Sequence, residues 1–285
     1  MAQELGITCT SQDPINFGPP NLSFTNFGSL ADGGASVSRN QTISFSDGFT
    51  YVVKKKHNMT AGFSYRRMQQ NSLSYQNARG AYSFSGLLTS GFDANGQPLA
   101  RTGFDFADYL LGLPQSSSLR FGSDNNYFRG WSASGYVQDD YRVFRGLSFN
   151  VGFRYEYFAP YTELHGHLAS LDVSPGFTAA ALVTPGMAGP YSGSLPSSLV
   201  RPDPNNYSPR LGFAWRPFKK KSVMFRGGYS IFYSGASYAQ IATQMASQPP
   251  FASTTSLSTS TAYPLTIRNG FPVSASQTPG TMAAG

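Results

Sequence analysis

Ser132-Ala133-Ser134-Gly135-Tyr136-Val137-Gln138-Asp139-Asp140-Tyr141-Arg142-Val143, then Phe144-Arg145-Gly146, then Leu147-Ser148-Phe149-Asn150-Val151-Gly152-Phe153-Arg154-Tyr155-Glu156-Tyr157-Phe158 is the stretch that decides the fold. In the second arm Leu147, Phe149, Val151, Phe153, Tyr155 and Tyr157 alternate with Ser148, Asn150, Gly152, Arg154 and Glu156. Successive side chains of a strand point to opposite faces, so this arm has one apolar face and one wet face. The apolar face runs for about ten residues, the length a tilted membrane-crossing strand needs. Folding the arms about Phe144-Arg145-Gly146 sets Val143 against Leu147, Tyr141 against Phe149, Val137 against Phe153 and Gly135 against Tyr155. All four pairs are apolar or small. The alternate pairs, Arg142–Ser148, Asp140–Asn150, Gln138–Gly152, Tyr136–Arg154 and Ser134–Glu156, each carry a polar or small member. Facing residues must share a side, so this agreement supports the pairing. Asp139, opposite Val151, is the exception. A carboxylate on a lipid-facing surface is tolerable near the membrane edge and costly at mid-depth, which puts Asp139 near an interface.

Two further hairpins obey the same parity. A loop over Lys54–Asn58 sets Val53 against Met59, Tyr51 against Ala61 and Phe49 against Phe63. A loop over Pro217–Lys221 sets Trp215 against Val223, Phe213 against Phe225 and Leu211 against Gly227. The pattern predicts six main strands near 41–53, 58–70, 120–143, 147–160, 207–216 and 222–234, antiparallel in chain order. Leu147, Phe149, Val151, Phe153, Tyr155, Phe213, Trp215, Val223 and Phe225 form the expected convex outer face. Gln138, Asp140, Ser148, Asn150, Arg154, Glu156, Arg210, Arg216 and Arg226 form the expected concave, lumenal face. The fold class is therefore all-β: a segment of an antiparallel transmembrane β-barrel, incomplete because the smallest barrels have about eight strands.

Composition fits this reading. Of 285 residues 15% are aromatic and only 12% charged, against about a quarter charged in soluble domains. No run of about eighteen apolar residues offers a transmembrane helix, and the mean hydropathy of -0.26 is what alternation produces. The net charge of +7 raises nucleic acid as a partner, but every lysine sits in Lys54–Lys56 or Lys219–Lys221 and the arginines are scattered. A nucleic-acid groove interleaves basic strips with stacking aromatics, so no nucleic-acid partner is expected. Cys9 alone forms no intrachain disulfide and no metal cluster. His165-Gly166-His167 lacks a nearby third ligand, so exposed histidines are the better reading than a metal site. Asp139 and Asp140 are adjacent and point to opposite faces, so they cannot act as paired carboxylates. No catalytic, cofactor-binding or metal-binding residues are expected, and the chain is not read as an enzyme.

Connections rich in Gly, Ser, Asn and Pro run from about Gln69 to Ser118, from Pro160 to Asn206 and from Gly235 onward. Short turns at one end and long loops at the other is the outer-membrane asymmetry, with the turns periplasmic and the loops extracellular. Inside the first long loop, residues 104–114 have helical spacing with a Gly112 stop and a following Pro114, which predicts a short helix. Residues 1–40 read as the end of a preceding extracellular loop, 41–234 as partial barrel and 235–285 as a following loop. Met1-Ala2-Gln3-Glu4-Leu5 is not a signal peptide, and Thr281-Met282-Ala283-Ala284-Gly285 is not a closing strand. The sequence reads as a slice of something larger.

Five stretches, in order, carry a family resemblance over roughly residues 40–235. They begin with Lys56-His57-Asn58-Met59-Thr60-Ala61-Gly62-Phe63-Ser64-Tyr65-Arg66-Arg67 and Phe106-Ala107-Asp108-Tyr109-Leu110-Leu111-Gly112-Leu113-Pro114. The Tyr136–Glu156 hairpin follows, then Ser208-Pro209-Arg210-Leu211-Gly212-Phe213-Ala214-Trp215-Arg216-Pro217 and Phe225-Arg226-Gly227-Gly228-Tyr229-Ser230-Ile231-Phe232-Tyr233. Together they resemble the barrel of TonB-dependent outer-membrane receptors, specifically the large Oar-like group. The resemblance implies a bacterial outer-membrane location and ligand uptake by a much longer receptor with an N-terminal plug. It implies as partners the outer-membrane lipid, the plug and the remaining barrel strands, with TonB acting only through the plug. This sequence has no plug, so the fragment is not expected to transport autonomously, and the ligand is unknown.

The alternative from another class is a secreted or surface β-sandwich, an adhesin-like binding protein whose strands also alternate. The discriminator is where the aromatics fall. Tyr141, Phe144, Trp215 and Phe218 lie beside the turns, and Tyr155, Tyr157, Phe158, Tyr229, Phe232 and Tyr233 at the far ends. Two rims of aromatics favour the barrel. A simple porin is disfavoured by loop length and by the family resemblance.

Overall fold

The computed structural model describes residues 14–34, 36–74, 77–122, 125–218, 223–260, 263–268 and 270–271. The readings made above on Met1–Leu5, Cys9, Lys219–Lys221 and Thr281–Gly285 lie outside these residues. The first strands are β1 (Asn21–Phe24), β2 (Ser36–Val53), β3 (His57–Ser74) and β4 (Ala81–Phe84). After helix α1 (Asp105–Leu111) come β5 (Ser116–Gly122), β6 (Asn126–Phe144) and β7 (Leu147–Phe158). Short strands follow: β8 (Thr162–Glu163), β9 (Ser170–Val173), β10 (Ala180–Val183), β11 (Ala188–Gly189) and β12 (Gly193–Ser194). The chain continues through β13 (Tyr207–Trp215), β14 (Phe225–Ser230), α2 (Ala236–Ala246) and β15 (Ala252–Ser258). Contacts divide it into two units, one of Met1–Ser38, Asn71–Asn126 and Met245–Gly285, the other of Arg39–Gln70 and Tyr127–Gln244.

The larger sheet follows the chain. Its order is β2-β3-β6-β7-β13-β14, with β8 added on β6, and its ends are open at β2 and β14. The pairs β6–β7, β7–β13 and β13–β14 are antiparallel. The β2–β3 pair closes through a three-residue turn, which only antiparallel strands permit. In β6–β7, Tyr141 faces Phe149, Val137 faces Phe153, Gly135 faces Tyr155 and Asp139 faces Val151, as the alternation requires.

Three details correct the sequence reading. Val143 does not pair with Leu147: a bulge between Arg142 and Phe144 sets Phe144 against Leu147 and shortens the turn to Arg145-Gly146. The extra residue moves Phe144 onto the apolar face, where strict alternation from Arg142 would have turned it inward. At the third hairpin Trp215 faces Phe225, Phe213 faces Gly227 and Leu211 faces Tyr229, two residues beyond the expected partners. At the first, the turn is Lys54–Lys56, closed by the Lys56 N–H to the Val53 carbonyl at 3.0 Å. Thr50 Oγ1 lies 3.4 Å from Thr60 Oγ1, again a two-residue offset from the expected register. A slip of two leaves every side chain on its original face, so the apolar pattern tolerates it and cannot report it.

The expected 120–143 strand is two strands in two sheets. β5 pairs with β4 and β15, whereas β6 joins the larger sheet. The break begins at Gly122, with φ +87 and a Cβ position 2.2 Å from the Phe251 carbonyl, which only glycine fits.

The first unit is built from the stretches read as long loops. β1 and β4 pair in parallel, while β5 is antiparallel to β4 and to β15. Tyr82, Phe84, Leu119, Phe121 and Phe271 form its buried core. The α1 helix ends as the sequence predicts: Gly112 has φ 71, and its N–H reaches the Asp108 and Tyr109 carbonyls. Tyr109 meets Phe84 edge-on at 5.4 Å, so the helix packs on the aromatic core. Asp105 and Asp108 of the same helix are fully buried. The Asp105 carboxylate accepts the Asn26 N–H at 2.6 Å, and Asp108 accepts the Thr89 N–H at 2.9 Å.

In the connection after β7, the Glu163 carboxylate accepts the N–H groups of Tyr127, His165 and His167. Asp172 takes the N–H groups of Tyr191 and Ser192. Buried carboxylates thus serve as hubs for backbone N–H groups of the connection and of the start of β6.

Candidate functional site

Register assigns every residue of the larger sheet to a face. Asp140 faces Asn150, Gln138 faces Gly152, Tyr136 faces Arg154 and Ser134 faces Glu156. On the next strand Arg210 faces Gly152 and Ser208 faces Arg154, and beyond it Arg226 faces Ala214. Gln138, Asp140, Asn150, Arg154, Glu156, Arg210 and Arg226 therefore share one polar face. Arg216 lies just past the end of β13 at the turn end, its N–H donating to the Gly146 carbonyl at 2.7 Å.

The polar face is internally wired. Arg154 Nε donates to Glu156 Oε1 at 3.0 Å, and Arg154 Nη2 to Ser134 Oγ at 2.8 Å. Ser134 Oγ lies 2.9 Å from Ser64 Oγ, which carries the network onto β3. The Arg154 guanidinium also stands 5.9 Å from the Tyr136 ring centre. Lower down, Asn150 donates to Asp140. Arg210 lies over the Phe232 ring at 4.9 Å. Each carboxylate has a cation or amide within reach, so a wet surface holds these charges at little cost. Sequence reasoning missed Ser64 and Ser134 as members of the network. Ser134 was readable from its position opposite Glu156, but Ser64 was not, because β3 and β6 share no hairpin.

The opposite face carries Phe149, Val151, Phe153, Leu211, Phe213, Trp215, Phe225 and Tyr229, all exposed. Val151 is 48% exposed, while the side chain of Glu156 is 15% exposed. A water-soluble sheet does the reverse. None of the described residues of β2, β3, β7, β13 or β14 is a buried hydrophobic. On β6 the only buried hydrophobic among the described residues is Phe128, at the end where β8 joins it.

A cleft of about 660 Å³ draws lining residues from all six long strands, from Val52 on β2 to Gly227 on β14, and takes Asp140 and Asn150 of the polar face together with Phe149 and Phe213 of the other. Lys55, Lys56 and Arg142 stand at its turn end.

Over residues 1–285 the chain matches the family model described as an outer membrane beta barrel domain. No curated protein and no solved structure matches it.

Proposed function

This chain belongs to the outer membrane β-barrel domain family, and from that premise we propose that it is part of the wall of a TonB-dependent receptor taking up a ligand across the bacterial outer membrane. The observation that carries the reading is the inverted sheet, with Phe149, Val151, Phe153 and Phe213 exposed on one face and Arg154, Glu156 and Arg210 on the other. An exposed aromatic face beside a wired polar face is a barrel wall between lipid and an aqueous lumen. The receptor assignment rests on the ordered Oar-like stretches between Lys56 and Tyr233. In this reading residues 41–234 belong to the barrel wall, and 1–40 and 235–285 to extracellular loops. Strands from the rest of the barrel cover the open β2 and β14 edges, because lipid leaves no backbone group unpaired. A plug in the lumen receives the energy input from TonB. The role is passage of a ligand, not catalysis.

Single cysteines placed in a Cys9→Ser background and labelled in isolated outer membranes test this. A water-soluble maleimide is expected to modify positions 150, 154, 156 and 210 and to spare 149, 151, 153 and 213. The reverse pattern refutes the wall. Ligand uptake that persists in cells lacking TonB refutes the receptor.

A further inference from the structure

The basic turns, which the sequence offers only as solvated ends, converge in the structure. The Arg142 N–H donates to the Lys56 carbonyl at 2.7 Å, and the Arg216 N–H to the Gly146 carbonyl at 2.7 Å. These two bonds fasten three turn ends side by side. Between them lies a cleft of about 540 Å³ lined by Lys56, Arg142, Arg145, Arg216, Phe144 and Leu147 among others. No carboxylate is among its described lining residues. The two acids that precede Arg142 in the chain are engaged elsewhere, Asp139 with His57 and Asp140 with Asn150.

Four cations around one cleft repel each other, and the field they sum to favours an anion between them. The cleft is also two-sided. The bulge at Val143 puts Phe144 on the apolar face with Leu147, while Arg142 shares the polar face with Ser148. An occupant therefore meets hydrocarbon-compatible rings on one side and guanidinium groups on the other. In a membrane-spanning wall the turn end stands at headgroup depth, and basic side chains there attract anionic lipid.

We propose that this cleft binds an anionic glycerophospholipid, its phosphate on Lys56, Arg142, Arg145 and Arg216 and its glycerol and upper acyl chain against Phe144 and Leu147. The site rests on the barrel-wall reading, which brings the turn end to the membrane surface. It would fix the rim of the wall to the lipid leaflet and set its depth.

The test extracts the protein in mild detergent from outer membranes of expressing cells and weighs the co-purified phospholipids by mass spectrometry. The expected result is phosphatidylglycerol or cardiolipin enriched at least about five-fold over the membrane's own ratio, the factor one basic side chain at a surface supplies. The triple variant Lys56→Gln, Arg145→Gln, Arg216→Gln is expected to return to the membrane ratio while retaining zwitterionic lipid. No enrichment in the natural protein, or enrichment that survives in the variant, overturns the proposal. So does displacement of the lipid by added inorganic phosphate, which would mark a plain anion site. If no phospholipid of any kind co-purifies, the apolar face does not meet the bilayer and the barrel-wall reading falls with it.

Discussion

His57 Nδ1 lies 2.7 Å from Asp139 Oδ2, on the face of the sheet that carries Tyr141, Phe149, Val151 and Phe153. The imidazole stacks on Tyr141 with ring centres 4.2 Å apart and planes 6° apart. His57 opens β3 directly after the Lys54–Lys56 turn, so the carboxylate opposite Val151 finds its partner at the turn end. The pair removes an isolated charge from a face that a barrel offers to lipid.

Replacing His57 by Phe keeps a ring on Tyr141 and leaves Asp139 unpaired. The expected loss is about 1 kcal/mol, the size of a carboxylate penalty near a membrane edge. Adding Asp139→Leu should restore stability. Urea unfolding in lipid vesicles reads both, and a single variant as stable as the natural chain would contradict the pairing.

Gly62 lets β2, β3 and β6 close up. A Cβ there would sit 2.7 Å from the Asp47 carbonyl and 2.8 Å from the Tyr136 hydroxyl. Tyr136 also reaches over Gly48. Gly62→Ala should destabilise the sheet by about 1–3 kcal/mol, as overpacking does. In a Tyr136→Ala background the penalty should shrink without vanishing, because the Asp47 carbonyl is backbone. A neutral Gly62→Ala in thermal melts would show the strands to be farther apart.

Register at the third hairpin is open to crosslinking. In a Cys9→Ser background, Leu211→Cys with Tyr229→Cys should oxidise readily, since these residues face each other. Leu211→Cys with Gly227→Cys, the pair the shorter loop implies, should oxidise slowly. Equal rates would mean that the hairpin slides.

Acid should loosen the loop unit at α1. Burial pushes the Asp105 carboxyl up, but hydrogen bonds from the Asn26 backbone and side chain and from the Phe106 N–H outweigh it and hold it below the ordinary aspartate range. A carboxyl held below its unfolded value adds stability that is complete above that value and is lost as pH falls through the folded one. Amide exchange across 105–111 should therefore accelerate below about pH 4. In Asp105→Asn it should be faster at neutral pH and nearly flat with acid. An unchanged pH profile in that variant would remove Asp105 from this role.

Alternation alone assigns the faces of β7 and its partners everywhere but at the Phe144 bulge. Alternation over Leu147–Phe158 is local information, and period two fixes faces regardless of partners. The α1 stop was legible as well, because Gly112 needs only its own left-handed backbone. Register and long-range packing were not readable in this way. Parity is blind to a two-residue slip, so the 213–227 pairing, stacked through Trp215 and Phe225 at 6.0 Å, awaited the packed hairpin. The bulge that turned Phe144 outward is likewise a matter of fit between β6 and β7. The loop unit was illegible for a different reason. Its strands are four to seven residues long, and its contacts join positions as far apart as Tyr82 and Ile267, whose hydroxyl–carbonyl bond is 2.8 Å. Short segments carry too little periodicity to announce themselves, and no local rule says which distant loops will share an aromatic core. The turn-end cations gather for the same reason: each turn is basic on its own, but only strand pairing brings Lys56, Arg142, Arg145 and Arg216 to one cleft.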